Sequence, residues 1–253
     1  MDDGLEISAS GAVKFCPHNH GTSCSECGLS ALCLPIALEA TEIDSLDEIV
    51  KRNRPLQKGA HLFRENDAFA NVYAVRSGAI KVYRITDDGK EQVTSFSFPG
   101  EILGMDAISK NQHASSAIAL ETSAICEIPF EMLDELSTTI PTLRRRFFQL
   151  MSEKITSDQQ LITLLGKNTA EQRVAALLLS ISARNARQKL STTNFNLPMS
   201  RIDIGNYFGL TVETVSRVFG RLQKLGLIAV NHKEIEILKL DKFQSVAHGT
   251  YEI

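Results

Sequence analysis

The segment Ser200–Val218 constrains the fold more than any other stretch of this 253-residue chain. Two short helices packed closely around a tight turn need a small residue in the first helix. At the turn they need a residue that tolerates positive φ. Gly205 and Gly209 supply both, and Ile204, Phe208, Leu210, Val215 and Val218 fall where the inner face requires apolar side chains. Ser200 and Thr211 stand where helix N-caps belong. The pattern is a helix-turn-helix. In its second helix Val212, Val215, Val218, Phe219 and Leu222 are expected to point inward. Glu213, Ser216, Arg217 and Gly220 are expected outward, near the end that enters a major groove of double-stranded DNA. Arg217 suits bidentate bonding to guanine, Glu213 can accept from cytosine N4, and Ser216 can bond a base edge. The alternative for Glu213 and Arg217 is a surface ion pair between residues one turn apart. Arg201, Arg221 and Lys224 are better placed for phosphates. Leu227–Val230 and Ile235–Leu238, joined by Asn231-His232-Lys233, read as a hairpin, which makes the module a winged helix.

The charge distribution agrees. The net charge of −3 does not suit a nucleic-acid binder, yet residues 170–253 carry 11 Lys and Arg against 7 Asp and Glu. The preceding residues carry 16 against 23. With 43% hydrophobic and 23% charged residues the chain is not wholly disordered. Apolar runs such as Ala175–Leu179 fall far short of the roughly 18 residues of a membrane span. Met1-Asp2-Asp3 does not begin a secretory signal. A cytoplasmic protein with no membrane association is expected.

Five cysteines, Cys16, Cys24, Cys27, Cys33 and Cys126, are an odd count that argues against a secreted disulfide framework. Four of them fall within 18 residues, in a stretch rich in Gly and Ser. Cys24 and Cys27, two residues apart, can point both sulfurs at one ion, and Cys33 can close around it. Zinc would want a second chelating pair, which His18 and His20 could supply. An iron–sulfur cluster would want one remote thiolate, which Cys126 could supply. Cys126 lies in the apolar run Ser123–Ile128 and also suits a small buried core position.

Between these two regions the periodicity changes twice. Glu42–Val50 carries Ile43, Leu46, Ile49 and Val50 on one helical face. Val72–Arg76, Ala79–Thr86, Gln92–Phe98 and Ser116–Leu120 read as strands, with turns at Gly78, Asp88-Gly89 and Pro99-Gly100. This is a β-roll or barrel. It holds no phosphate-cradling Gly loop and no nucleophile arrangement, so an enzyme is not expected. From Thr142 to Leu165 no Gly or Pro interrupts a helical pattern. Phe148, Met151, Ile155, Asp158, Ile162 and Leu165 follow a coiled-coil seam, which points to a homodimer, the alternative being one broad core stripe of a monomer. A second face of Leu143, Phe147, Leu150, Leu161 and Leu164 is expected to pack on the chain's own β-roll. Asp158 would meet its own copy across a two-fold axis, weakening association by like-charge repulsion.

The order of parts, with the motifs Cys24-x2-Cys27-x5-Cys33, Glu121–Phe130 around Cys126, and Gly205–Arg217, resembles the FNR family within the cyclic-AMP receptor protein superfamily of bacterial regulators. The resemblance covers nearly the whole chain. It implies an α+β architecture in four parts: a Cys-rich arm at 1–35, a β-roll sensor domain at 36–140, a dimerisation helix at 141–168, and a winged helix-turn-helix domain at 169–253. It implies a 4Fe–4S cluster on Cys24, Cys27, Cys33 and Cys126, with Cys16 not a ligand. It further implies an anaerobic homodimer on palindromic DNA with TTGAT half-sites, RNA polymerase as a partner, and loss of cluster and dimer in oxygen. The gap from Cys16 to Cys24, containing Pro17–Thr22, is longer than the family leads one to expect. A cyclic nucleotide is not expected, because no Arg occurs between Arg84 and Arg144 to meet its phosphate. A zinc-stabilised DNA-binding protein without redox sensing is the alternative function.

Overall fold

The computed structural model of the chain describes residues 23–251. Cys16, His18 and His20 lie outside the described residues. The cysteine segment winds through successive turns into α1 (Ala40–Ile49), which buries Leu46 and Ile49. Eight short strands follow: β1 (Lys51–Arg52), β2 (His61–Phe63), β3 (Asn71–Ser77), β4 (Ile80–Ile85), β5 (Glu91–Ser97), β6 (Ile102–Leu103), β7 (Ser116–Ala119) and β8 (Ala124–Pro129). They form two four-stranded antiparallel sheets, ordered β1-β8-β3-β6 and β2-β7-β4-β5. Between the sheets, Phe63, Val75, Ile80, Leu103 and Ile125 share one core. The four strands expected from alternation are present as β3, β4, β5 and β7. β1, β2 and β6 are too short to show a period.

α2 (Phe130–Thr139), a helix not expected from the sequence, leads into α3 (Pro141–Lys167). Pro141 sits in the first turn of α3, where its missing N–H costs nothing. Leu143 and Leu150 are buried against the β1-β8-β3-β6 sheet and α1, and Phe147 packs beside them. Leu161 and Leu164 do not stay on the roll alone. They pack against a second core that includes both Phe96 of the roll and Val174, Phe208 and Leu222 of the C-terminal part. α3 therefore joins two cores, which the sequence pattern did not distinguish.

The C-terminal part contains α4 (Ala170–Arg187), β9 (Asn194–Asn196), α5 (Arg201–Phe208), α6 (Val212–Lys224), β10 (Ile228–Asn231), β11 (Glu234–Ile237) and α7 (Leu240–Ala247). The expected hairpin is β10 and β11. β9 adds to it as a third antiparallel strand.

Candidate functional site

Cys24, Cys27, Cys33 and Cys126 line one cavity, together with Leu34, Ala74, Arg76 and Ile128. Three come from the turns before α1 and one from β8, about a hundred residues on. All four are half-buried. Burial pushes the Cys33 thiol up to about 12 and the Cys126 thiol in the same direction. Burial, with a hydrogen bond to Asp47, raises Cys24 further still. Thiols held this way stay protonated unless a cation replaces the proton. Among the described residues no three His, Cys, Asp or Glu side chains converge tightly enough to grip a single metal ion. The thiols surround a space.

Two arginines that no sequence motif marks stand beside these thiols, Arg76 in the cavity lining and Arg52 on Cys24. Arg52 is the cross-strand neighbour of Cys126. Its Nη2 donates to Cys24 Sγ at 3.4 Å, and it pairs with Asp47. Asp47 in turn accepts the Cys24 N–H at 2.7 Å. Burial works against the Asp47 carboxylate, but the bonds from Cys24 and Arg52 hold it below the usual range. Arg76 lines the cavity from the strand segment beside β8. Arg52 Nε and Arg76 Nη1 are buried without a hydrogen-bond partner. Two buried guanidinium donors without partners mark a site built to surround negative charge. No local pattern signals them, because each is far in sequence from the arm's thiols.

The reading head is built as its glycines require. A Cβ on Gly205 would lie 2.6 Å from the Leu210 carbonyl oxygen, so the turn closes only over glycine. Gly209 caps α5 at φ +65°, and Leu210 N–H bonds Gly205 O at 2.9 Å. Ser200 Oγ accepts from Asp203 N–H at 3.1 Å, and Thr211 Oγ1 from Thr214 N–H at 3.2 Å, so both expected N-caps are in place. Val215, Val218, Phe219 and Leu222 are buried, and Glu213, Ser216 and Arg217 are exposed together on α6.

Three details depart from expectation. Val212 points partly outward, 37% exposed, because it is the first residue of α6 and has no preceding turn to pack under. Arg201 does not extend toward solvent: its guanidinium lies over the Phe219 ring, and burial lowers its pKa to about 10. Arg217 Nη2 donates to Thr214 Oγ1 at 3.2 Å, and among the described residues no ion pair joins it to Glu213. The Glu213 backbone amide, the Thr211 hydroxyl and the Arg217 charge hold the Glu213 carboxyl below its usual range, so it is an acceptor at neutral pH.

A family model described as a cyclic nucleotide-binding domain matches residues 53–139, and one described as a Crp-like helix-turn-helix domain matches residues 172–246. The transcriptional activator protein Anr of Pseudomonas aeruginosa is 50% identical over 240 residues, covering 95% of this chain and 97% of that protein. The fumarate and nitrate reduction regulatory protein of Salmonella typhimurium is 48% identical over 230 residues, 91% of this chain and 92% of that protein. The chain belongs to the Crp/Fnr family of transcription regulators. Among solved structures, FixK2 from Bradyrhizobium japonicum superposes with a TM-score of 0.72 at 26% identity, over 78% of this chain and 97% of that one.

As a Crp/Fnr regulator the chain is a DNA-binding protein and not an enzyme, and its reading head is fastened to the roll. Lys81 on β4, only 9% exposed, places Nζ 2.8 Å from Asp203 on α5 and 2.8 Å from Glu91 on β5. Gln92 Nε2 donates to Asn206 O at 2.6 Å, and Arg184 Nε lies 2.7 Å from Glu101. The contacts between roll and reading head span about 80 residues or more, which is why sequence reasoning missed them. Along α3, Phe148, Ile155 and Ile162 stand 61%, 57% and 69% exposed, and Ile155 and Ile162 line a cavity shared with Gln92, Glu101 and Arg184. Met151 and Asp158 lie half-exposed between these α3 residues, while Leu165 leans on the second core of its own chain.

Proposed function

We propose that this regulator is oxygen-responsive, with a 4Fe–4S cluster held by Cys24, Cys27, Cys33 and Cys126. The observation that carries this reading is the shared cavity of the four thiols, with Arg76 in its lining and Arg52 bonded to Cys24 Sγ beside it. Four thiolates bring more negative charge than such a cluster's core offsets, and the Arg76 guanidinium, which has no acidic partner among the described residues, suits that balance. When bound, the cluster supplies an oxygen-labile tie between the arm and β8. Cys33 and Cys126 pack against the core that also contains Leu143 and Leu150 of α3. Loss of the tie therefore loosens the support under α3.

In this reading Phe148, Met151, Ile155, Asp158 and Ile162, with Leu165 at the edge of its own chain's core, form the seam of a homodimer. The dimer presents two α6 helices to a palindrome with TTGAT half-sites. Arg217 reads guanine, Glu213 accepts from cytosine, and Ser216 meets a neighbouring base edge. In this reading it activates transcription anaerobically through contact with RNA polymerase in the cytoplasm, and the name of the Pseudomonas aeruginosa relative, a transcriptional activator, supports activation. No described helix is long and apolar enough to cross a membrane. The roll takes no cyclic nucleotide in this reading. His113 stacks on Phe63 at 3.8 Å between ring centroids within it, and Arg84 is exposed and paired with Glu65.

Anaerobic purification with iron and sulfide analysis, and an absorption spectrum before and after air, tests the reading. A visible band that bleaches in air is expected. A colourless protein containing zinc would replace the reading with a zinc-stabilised regulator. Serine variants of Cys24, Cys27, Cys33 and Cys126 should each lose the band, and Cys16→Ser should keep it.

A further inference from the structure

One side chain fastens the cysteine arm to α3. Arg146, its side chain 11% exposed, donates from Nη2 to the Leu32 carbonyl at 3.0 Å and from Nε to the Cys33 carbonyl at 3.3 Å. Its remaining direction, Nη1, meets Glu153 Oε1 at 3.2 Å, two turns further along α3. The guanidinium is thus spread between the end of the Cys27–Cys33 turns and the helix that carries Phe148, Met151 and Ile155.

We propose that Arg146 is the positioning residue that couples the cysteine site to the α3 seam. This rests on the reading of the four thiols as cluster ligands. Cys33 carries both a thiol in the cavity and a carbonyl on Arg146. Fixing the thiol fixes the carbonyl, and with it the neighbouring Leu32 carbonyl, so Arg146 meets two pre-set acceptors. With the thiol free, the arm must be ordered before the same bonds form, and α3 loses that anchor. The coupling is reciprocal: a dimer that holds α3 in place also holds the Cys33 turn. Arg146 does not line the thiol cavity, and it stands beside Met151 and Ile155 on the cavity they line without being one of the six seam residues, so its role differs from that of a ligand or of a seam residue.

The test compares anaerobically loaded wild type, Arg146→Gln and Arg146→Lys by iron and sulfide content, absorption spectrum, thermal unfolding and sedimentation equilibrium. Arg146→Gln should fold and keep wild-type iron and spectrum. Its dimer dissociation constant should weaken about tenfold to a hundredfold, as expected for lost charge-assisted hydrogen bonds. Chelating the iron should then change that constant less than in wild type. Arg146→Lys, which keeps the charge but not the fork, should fall between the two. A loaded Arg146→Gln protein that dimerises like wild type would overturn the proposal while leaving the cluster reading intact. A folded Arg146→Gln protein without iron would also overturn it, since Arg146 would then serve the cysteine site alone. If Arg146→Gln does not fold, an unchanged constant in Arg146→Lys overturns the proposal and a weakened one supports it. A wild-type chain that takes up no cluster ends the cluster reading and this proposal together.

Discussion

Lys154 Nζ, one turn earlier on α3, lies 2.5 Å from Asp158 Oδ1. Sequence spacing places Asp158 in the seam as a bare carboxylate facing its copy, but in the folded chain that carboxylate has a cation of its own. In the proposed dimer the repulsion across the two-fold axis is therefore softened. Asp158→Ala should still favour the dimer and allow DNA binding in air. Lys154→Ala should do the reverse, exposing the full like-charge repulsion. The pair is about half exposed, so its own contribution is about 0.3–0.5 kcal/mol. Sedimentation of both single variants and the double variant checks this. The double variant should resemble Asp158→Ala, and a Lys154→Ala protein that dimerises more tightly than wild type would show that the lysine itself is the brake.

Arg217→Ala should abolish specific DNA binding without unfolding the protein. Its side chain is exposed and bonds only Thr214 among the described residues. Loss of a bidentate guanine contact costs about 1–3 kcal/mol per half-site. Glu213→Ala should relax discrimination more than affinity, since a carboxylate repels phosphates in every sequence. Binding to the palindrome and to a scrambled duplex at fixed salt separates the two effects. Unchanged affinity in Arg217→Ala would mean that another face of α6 reads the bases.

Gly205→Ala should be more damaging than Gly209→Ala. At Gly205 the new methyl meets a backbone oxygen at 2.6 Å, and neither helix can give way without opening the turn. At Gly209 nothing blocks a Cβ, and the cost is the positive φ alone, about 1 kcal/mol. Thermal unfolding of both variants, with DNA affinity measured in parallel, gives the order.

Lys81→Met should loosen the reading head from the roll. It strands Asp203 and Glu91 beside each other without their shared cation, and breaking a buried pair in this way costs about 3 kcal/mol. Burial disfavours the Asp203 carboxylate, but Lys81 and Ser200 overcome that and hold its pKa below the usual range. A depressed carboxyl stabilises the fold fully above its unfolded pKa of about 3.9, and that stability is lost as pH falls through the lower folded value. Wild-type melting temperature should therefore drop below about pH 4, and Asp203→Asn should remove part of that drop. A parallel decline in both proteins would assign the acid sensitivity elsewhere.

The helix-turn-helix was legible in the sequence because its constraints are local. Gly205, Gly209, Ser200 and Thr211 answer to backbone geometry within a dozen or so neighbouring positions, and alternation marked the longer strands for the same reason. The cysteine spacing pointed to a metal centre, but it left open whether the fourth position fell to Cys126 or to a histidine. Tertiary structure brought Cys126 to the arm's thiols and set Arg52 and Arg76 against them. It also turned Arg201 onto Phe219 and bolted Asp203 to Lys81. Those relationships depend on which strands pair and which faces of α3 and α5 are buried. Pairing and burial are decided by the whole core, so no stretch of sequence contains them.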